Sequence, residues 1–163
     1  MKSDFCWQDV LVSLRRIIRA TDLQSKRMLK SCGLTIPQVM VLRAIETLGD
    51  VTVKRISDDV FLSQATVTTI LNRLQDRDLI QRVRHQVDKR IVNARLTEKG
   101  RGMLASVPPL LHDKFIARFD ALADEEKSQM LSSLQQVATM LDAESLDVAP
   151  LLDIAPASSQ SGG

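Results

Sequence analysis

The feature that most constrains this chain is a change of apolar period within one short stretch. Between Thr52 and Leu74 hydrophobic residues recur at helical spacing, first Val53, Ile56 and Val60, then Val67, Ile70, Leu71 and Leu74. Around Ile80–His85 and Arg90–Leu96 the period becomes two. Val92, Ala94 and Leu96 fall on one side of a strand, and Ile91, Asn93 and Arg95 fall on the other. Thr52 and Ser63 stand where helix N-caps are needed, and only about three residues separate the two helices, the connection of a helix-turn-helix. Gln86–Lys89 is the polar turn between the strands. The pattern predicts a mainly α chain carrying two tightly joined helices and a two-stranded hairpin.

The flanks are helical. An apolar stripe runs from about Gln8 to Ser31 and stops at Gly33. Thr35 caps a second helix, with Pro37 in its first turn and Val39, Leu42 and Ile45 on one face. Thr97 opens a long helix reaching about Leu122, which Pro108-Pro109 should kink or interrupt. Asp124 is expected to cap a last helix with Met130, Leu131, Leu134, Val137, Met140 and Leu141 as its apolar face. These boundaries divide the chain into an N-terminal helix (1–34), a central unit (35–100), C-terminal helices (101–147) and a tail (148–163). The tail is Pro-, Ala-, Ser- and Gly-rich and expected to be disordered.

Charge is segregated along this plan. Residues 51–102 hold eleven Lys/Arg against six Asp/Glu, whereas 103–163 hold three against nine, within a total of only +2. Any contact with nucleic acid must therefore come from local concentration of charge. No apolar run approaches a membrane span, and the first residues lack the apolar core of a secretory signal, so a cytoplasmic chain is expected. Two cysteines, Cys6 and Cys32, make no disulfide framework. The two histidines, His85 and His112, lie on different elements, and neither C-x-x-C nor H-x-x-x-H occurs, so no metal or cofactor is expected. With no phosphate loop and no nucleophile elbow, catalysis is not expected either.

The helix from Ser63 to Arg77 carries the chemistry. With Val67, Ile70, Leu71 and Leu74 buried, helical geometry turns Ala65, Thr68, Thr69, Asn72 and Arg73 outward. A face selected only for solubility would favour Glu and Lys. Short polar side chains instead let a helix sit deep in a DNA major groove. There Thr and Ala meet thymine methyls, Asn pairs with adenine, and Arg takes guanine or phosphate. Ser63, Gln64 and Thr66 anchor the helix start, where backbone donors suit a phosphate. The competing reading is a solvated face that lacks Glu and Lys by chance. In the hairpin, Arg82, Arg84, His85, Lys89, Arg90 and Arg95 lie within fourteen residues, with Asp88 the only acid. An Arg at such a tip can enter a narrow A·T-rich minor groove, with Asp88 fixing the turn. The alternative is a hairpin kept soluble by its charges.

Together these residues resemble the MarR-type winged helix-turn-helix regulators. The resemblance rests on Leu34-Thr35-x-x-Gln38-x-x-x-Leu42, Ser63-x-x-Thr66-Val67-Thr68, Leu74 with Leu79-Ile80-x-Arg82, Asp88-Lys89-Arg90 and Leu96-Thr97-Glu98-Lys99-Gly100. It implies a homodimer, joined through the N- and C-terminal helices, that binds a pseudo-palindromic double-stranded DNA operator as a transcriptional repressor. Ser63, Gln64, Ala65, Thr66, Thr68, Thr69, Asn72, Arg73, Asp88, Lys89 and Arg90 are then the DNA-binding residues. Arg90 matches the family's minor-groove arginine. The chain departs from the family pattern at Asp78, where Gly is common, and at Lys89, where Arg is commoner. The run from Leu14 to Lys26 also resembles the subgroup controlling compatible-solute genes, which implies an osmotic-stress role. The cations Arg15, Arg16, Arg19, Lys26, Arg27 and Lys30 of this helix suit phosphate contacts or an anion-effector pocket, or simply form a solvated helix face. Two rivals stay open: an oxidant-responsive regulator using Cys6, and a winged-helix protein-interaction module that no longer binds DNA.

Overall fold

The computed structural model describes residues 6–86 and 92–144. They form two compact units, one taking the residues up to Lys30 and those from Pro108 on, the other taking Ser31–Val107.

In the Ser31–Val107 unit the chain reads α2 (Ile36–Leu48), β1 (Val51–Thr52), α3 (Val53–Val60), α4 (Gln64–Asp76), β2 (Ile80–Arg84), β3 (Val92–Leu96) and α5 (Glu98–Ala105). α1 (Trp7–Cys32) precedes it, and its last two residues enter the unit before Gly33 turns the chain at φ +64°. α2 opens with a reciprocal cap. Thr35 Oγ1 accepts from the Gln38 amide, and Gln38 Oε1 accepts from the Thr35 amide at 3.0 Å. Gln38 is buried, and this cap gives its side-chain oxygen and its backbone amide a partner. Val39, Leu42 and Ile45 are buried as the periodicity requires, but so are Val41 and Ala44, which makes α2 the central helix of the unit.

β1 adds a third strand to the hairpin. It pairs antiparallel with β3 (Val51↔Ala94, Thr52↔Asn93), giving the order β1-β3-β2, while β2 and β3 pair from Ile80↔Leu96 to Arg84↔Val92. Thr52, at the end of β1, also caps α3 by accepting from the Arg55 amide. α3 ends at Phe61 in a left-handed conformation (φ +55°), and Ser57 Oγ donates to the Leu62 carbonyl across the turn. Ser63 then caps α4, accepting from the Thr66 amide at 3.1 Å. Val67, Ile70, Leu71 and Leu74 are buried, each at most 4% exposed, as the stripe predicts. Asp78 takes the left-handed position after α4 (φ +59°), the place where a glycine is common.

α5 starts under a tight junction. Thr97 accepts from the Gly100 amide, its own amide donates to the Leu79 carbonyl, and its hydroxyl donates to the Asp78 carbonyl. A Cβ on Gly100 would lie 2.0 Å from the Leu79 carbonyl oxygen, so only glycine fits.

The long helix expected from Thr97 to Leu122 is two helices. α5 stops at Ala105, Pro108-Pro109 occupies the break, and α6 (Leu111–Asp120) resumes in the other unit. α7 (Asp124–Met140) begins at the residue expected to cap it. Ala123 is the cap, and its amide donates to the Glu126 carboxylate at 2.9 Å, so Asp124 lies inside the first turn. In the unit built from α1, α6 and α7 the apolar side chains are mostly uncovered. Ile18, Phe115, Leu131 and Met140 are exposed, and α6 and α7 bury no residue at all.

Candidate nucleic-acid interface

The outer face of α4 is where short side chains gather. Gln64, Ala65, Thr68, Thr69, Asn72 and Arg73 are all exposed, and Thr66 is half-buried. Because the opposite face is wholly buried, this helix is held rigidly against the unit and presents one defined surface. Its hydroxyls are already directed. Thr68 Oγ1 donates to the Gln64 carbonyl at 2.8 Å and Thr69 Oγ1 to the Ala65 carbonyl at 3.1 Å. Their hydrogens are committed to the helix, which leaves methyls and oxygen lone pairs for a partner. At the helix start, Ser63 and Thr66 hydroxyls share a hydrogen bond of 2.8 Å.

β2 reaches into this surface. Arg82 Nη2 donates to Asn72 Oδ1 at 2.7 Å and lies 3.5 Å from the Thr68 carbonyl. Arg82 stands two residues after the buried Ile80, so strand alternation puts both on the side that meets the helices. That alternation was visible in the sequence and would have found the contact. A count of wing charges alone passes over it.

Arg95, counted above among the wing's cations, is also engaged within the fold. Its guanidinium forms a two-pronged ion pair with Asp50, beside β1. The Arg95 hydrogen bonds hold the Asp50 carboxyl below the usual carboxylate range, and Asp50 in turn raises Arg95. Arg95 therefore brings little net charge to the hairpin, and the pair instead ties β3 to the end of α2. Asp88, Lys89 and Arg90 lie outside the described residues. So do the tail from 148 onward and the expectation of disorder attached to it. Of the eleven expected DNA-binding residues, the structure thus brings together the eight on or beside α4.

Among the described residues no group of three or more His, Cys, Asp and Glu gathers as for a metal. No helix among them is long and apolar enough to cross a membrane. Cys6 is half-buried and its thiol donates to Gln8 Oε1 at 3.1 Å; neither it nor Cys32 forms a disulfide.

Comparison with known proteins decides the family. The MarR family profile matches residues 34–92, which spans the helix-turn-helix and most of the hairpin. The transcriptional regulator SarZ of Staphylococcus haemolyticus is 31% identical over 109 residues, covering 67% of this chain and 73% of its own length. The chain belongs to the MarR family. YsmB of Bacillus subtilis, an HTH-type transcriptional regulator, is 27% identical over 129 residues, 79% of this chain and 88% of that protein. Streptococcus pneumoniae FabT, solved in complex with DNA, superposes with a TM-score of 0.54 at 26% identity over 84% of this chain and 98% of its own. MarR proteins are transcriptional regulators, not enzymes; they bind DNA and act as dimers.

Proposed function

We propose that this chain is a cytoplasmic, homodimeric repressor that binds a pseudo-palindromic DNA operator and blocks promoter access. The observation that carries the reading is the exposed face of α4, built from Ala65, Thr68, Thr69, Asn72 and Arg73 on a helix whose other side is locked in the core. Side chains this short let the helix approach base edges closely, and two threonine methyls suit thymine. Ser63, Gln64 and Thr66 anchor the helix start on phosphate. Arg90 enters the neighbouring minor groove with Lys89 on phosphate and Asp88 holding the tip, a role supported by the family motif. The charge segregation along the chain, basic over 51–102 and acidic over 103–163, also supports the central unit as the one that meets DNA.

The uncovered apolar side chains of α1, α6 and α7 support dimerisation through those helices. A two-fold dimer places half-sites about one helical turn, ~10 bp, apart. The Leu14–Lys26 run supports compatible-solute genes as targets, with a small anionic effector meeting Arg15, Arg16 and Arg19. A genome-wide footprint of the bound protein tests all of this at once. The reading expects an inverted repeat with that spacing, overlapping promoters of osmotic-stress genes. Binding spread without a repeat would overturn the operator, and footprints at unrelated genes would overturn the target class alone.

A further inference from the structure

The geometry points to Arg82 as a positioning residue that orients the Asn72 amide, holding its oxygen toward the strand so that Asn72 turns its donors to DNA and reads guanine rather than adenine. This rests on the reading of α4 as the base-facing helix.

A guanidinium has five donors and no acceptor. The atom of Asn72 that faces Arg82 Nη2 at 2.7 Å must therefore be the carbonyl oxygen, so the amide's orientation is dictated by chemistry. Nδ2, with two N–H groups, is left on the exposed side chain. Arg82 cannot easily turn away. It is half-buried, its neighbour on the same strand face is the buried Ile80, and its partner across the sheet is the buried Ala94. The same nitrogen also approaches the Thr68 carbonyl, which ties the guanidinium to two successive turns of α4.

The consequence is a change of base. An Asn that pairs with adenine must donate to N7 and accept from the N6 amino group at once. Here a charged donor takes one lone pair of the oxygen and holds that oxygen toward Arg82, and the amide presents N–H groups whose polarity that charge increases. Guanine, with N7 and O6 both acceptors, matches this better than any other major-groove edge. Asn72 thus provides the contact, and Arg82, one layer behind, decides which base it accepts.

The test has two arms on the full-length protein. In the free protein, the Asn72 side-chain amide signals are followed by 1H–15N NMR in wild type and Arg82→Ala. Those signals should shift more than any other side-chain amide, while backbone signals of α4's buried face stay. Unmoved Asn72 signals overturn the positioning role without reference to DNA. In the second arm, wild type, Asn72→Ala, Arg82→Ala and the double variant each select from randomised duplexes. One base pair per half-site should carry guanine, and all three variants should lose about tenfold of discrimination there, the double no more than the singles. Arg82→Met guards against a fold defect: it keeps the apolar stem but has no donor for Asn72 Oδ1, so its urea midpoint should stay near that of wild type while the guanine preference is lost. Adenine at that position overturns the proposal, as does a uniform, additive loss over all sequences, which marks Arg82 as a phosphate contact. If the wild type selects no sequence, the reading of α4 itself fails, and the NMR arm still reports separately on the Arg82–Asn72 contact.

Discussion

At the scale of single residues, Gly100 and the Asp50–Arg95 pair show how local chemistry fixes the frame behind α4. Gly100 packs its Cα against the Leu79 carbonyl, which also accepts from Thr97, so the end of α4, the start of β2 and the start of α5 meet at one backbone oxygen. Gly100→Ala has no direction in which to relax, because the obstacle is main chain. It should lower stability by about 1–3 kcal/mol or more, read as a fall in the urea midpoint at unchanged slope. The Asp50–Arg95 pair predicts a pH effect of definite sign. Asp50 is depressed in the folded state, so its contribution is present above the unfolded carboxylate value and is lost as pH falls through the lower folded value. The stability gap between wild type and Asp50→Asn should be constant near neutrality and close only in acid, below about pH 4. The gap will be small, since both side chains are about half exposed, at 50% and 41%, and it should shrink with salt. A gap that widened on acidification would contradict the pairing. These two sites also differ in how well the sequence shows them. The caps Thr35, Thr52, Ser63 and Thr97 act on backbone three residues away, so they can be read directly. Asp50 and Arg95 are 45 positions apart, and nothing in either residue's neighbours announces the other.

At the scale of elements, legibility follows length and packing. α4 is legible because a four-residue stripe must be buried, and burial of one face defines the other. β1 is not, since two residues cannot display a period. Its existence follows instead from the free edge of β3, which must pair or be covered. The split of α5 from α6 is legible at Pro108-Pro109, but whether proline kinks or ends a helix depends on what the following residues pack against. The wing is the element whose function the sequence states most openly, through Asp88-Lys89-Arg90. Arg90→Ala should weaken operator binding by about 1–3 kcal/mol and reduce preference for A·T pairs outside the half-site. Arg82→Ala, by contrast, should leave those flanking preferences intact. Both changes remove one cation from the same hairpin, so an equal and sequence-independent loss from both would mean that the hairpin acts through charge alone.

At the scale of the whole molecule, the question is what covers α1, α6 and α7. Phe115, Ile116, Leu131 and Leu134 are each about half exposed or more, at 55%, 53%, 56% and 49%, although a helix in water gains nothing by presenting them. The sequence could not separate this face from a core face, because an apolar stripe looks the same whether its partner is the same chain or another copy. Leu131→Glu with Leu134→Glu puts two charges on that surface. If the surface joins two copies, the variant should sediment as a folded monomer with its Ser31–Val107 unit intact. DNA binding then supplies an internal check. A dimer on two half-sites neutralises twice the phosphates of one subunit, and log K falls with log salt by about 0.9 per phosphate. The monomeric variant should therefore show roughly half the wild-type salt slope, together with a loss of affinity steepest at low salt. A monomer with the full slope would place all the phosphate contacts within one subunit. An unaltered dimer would move the interface off α7.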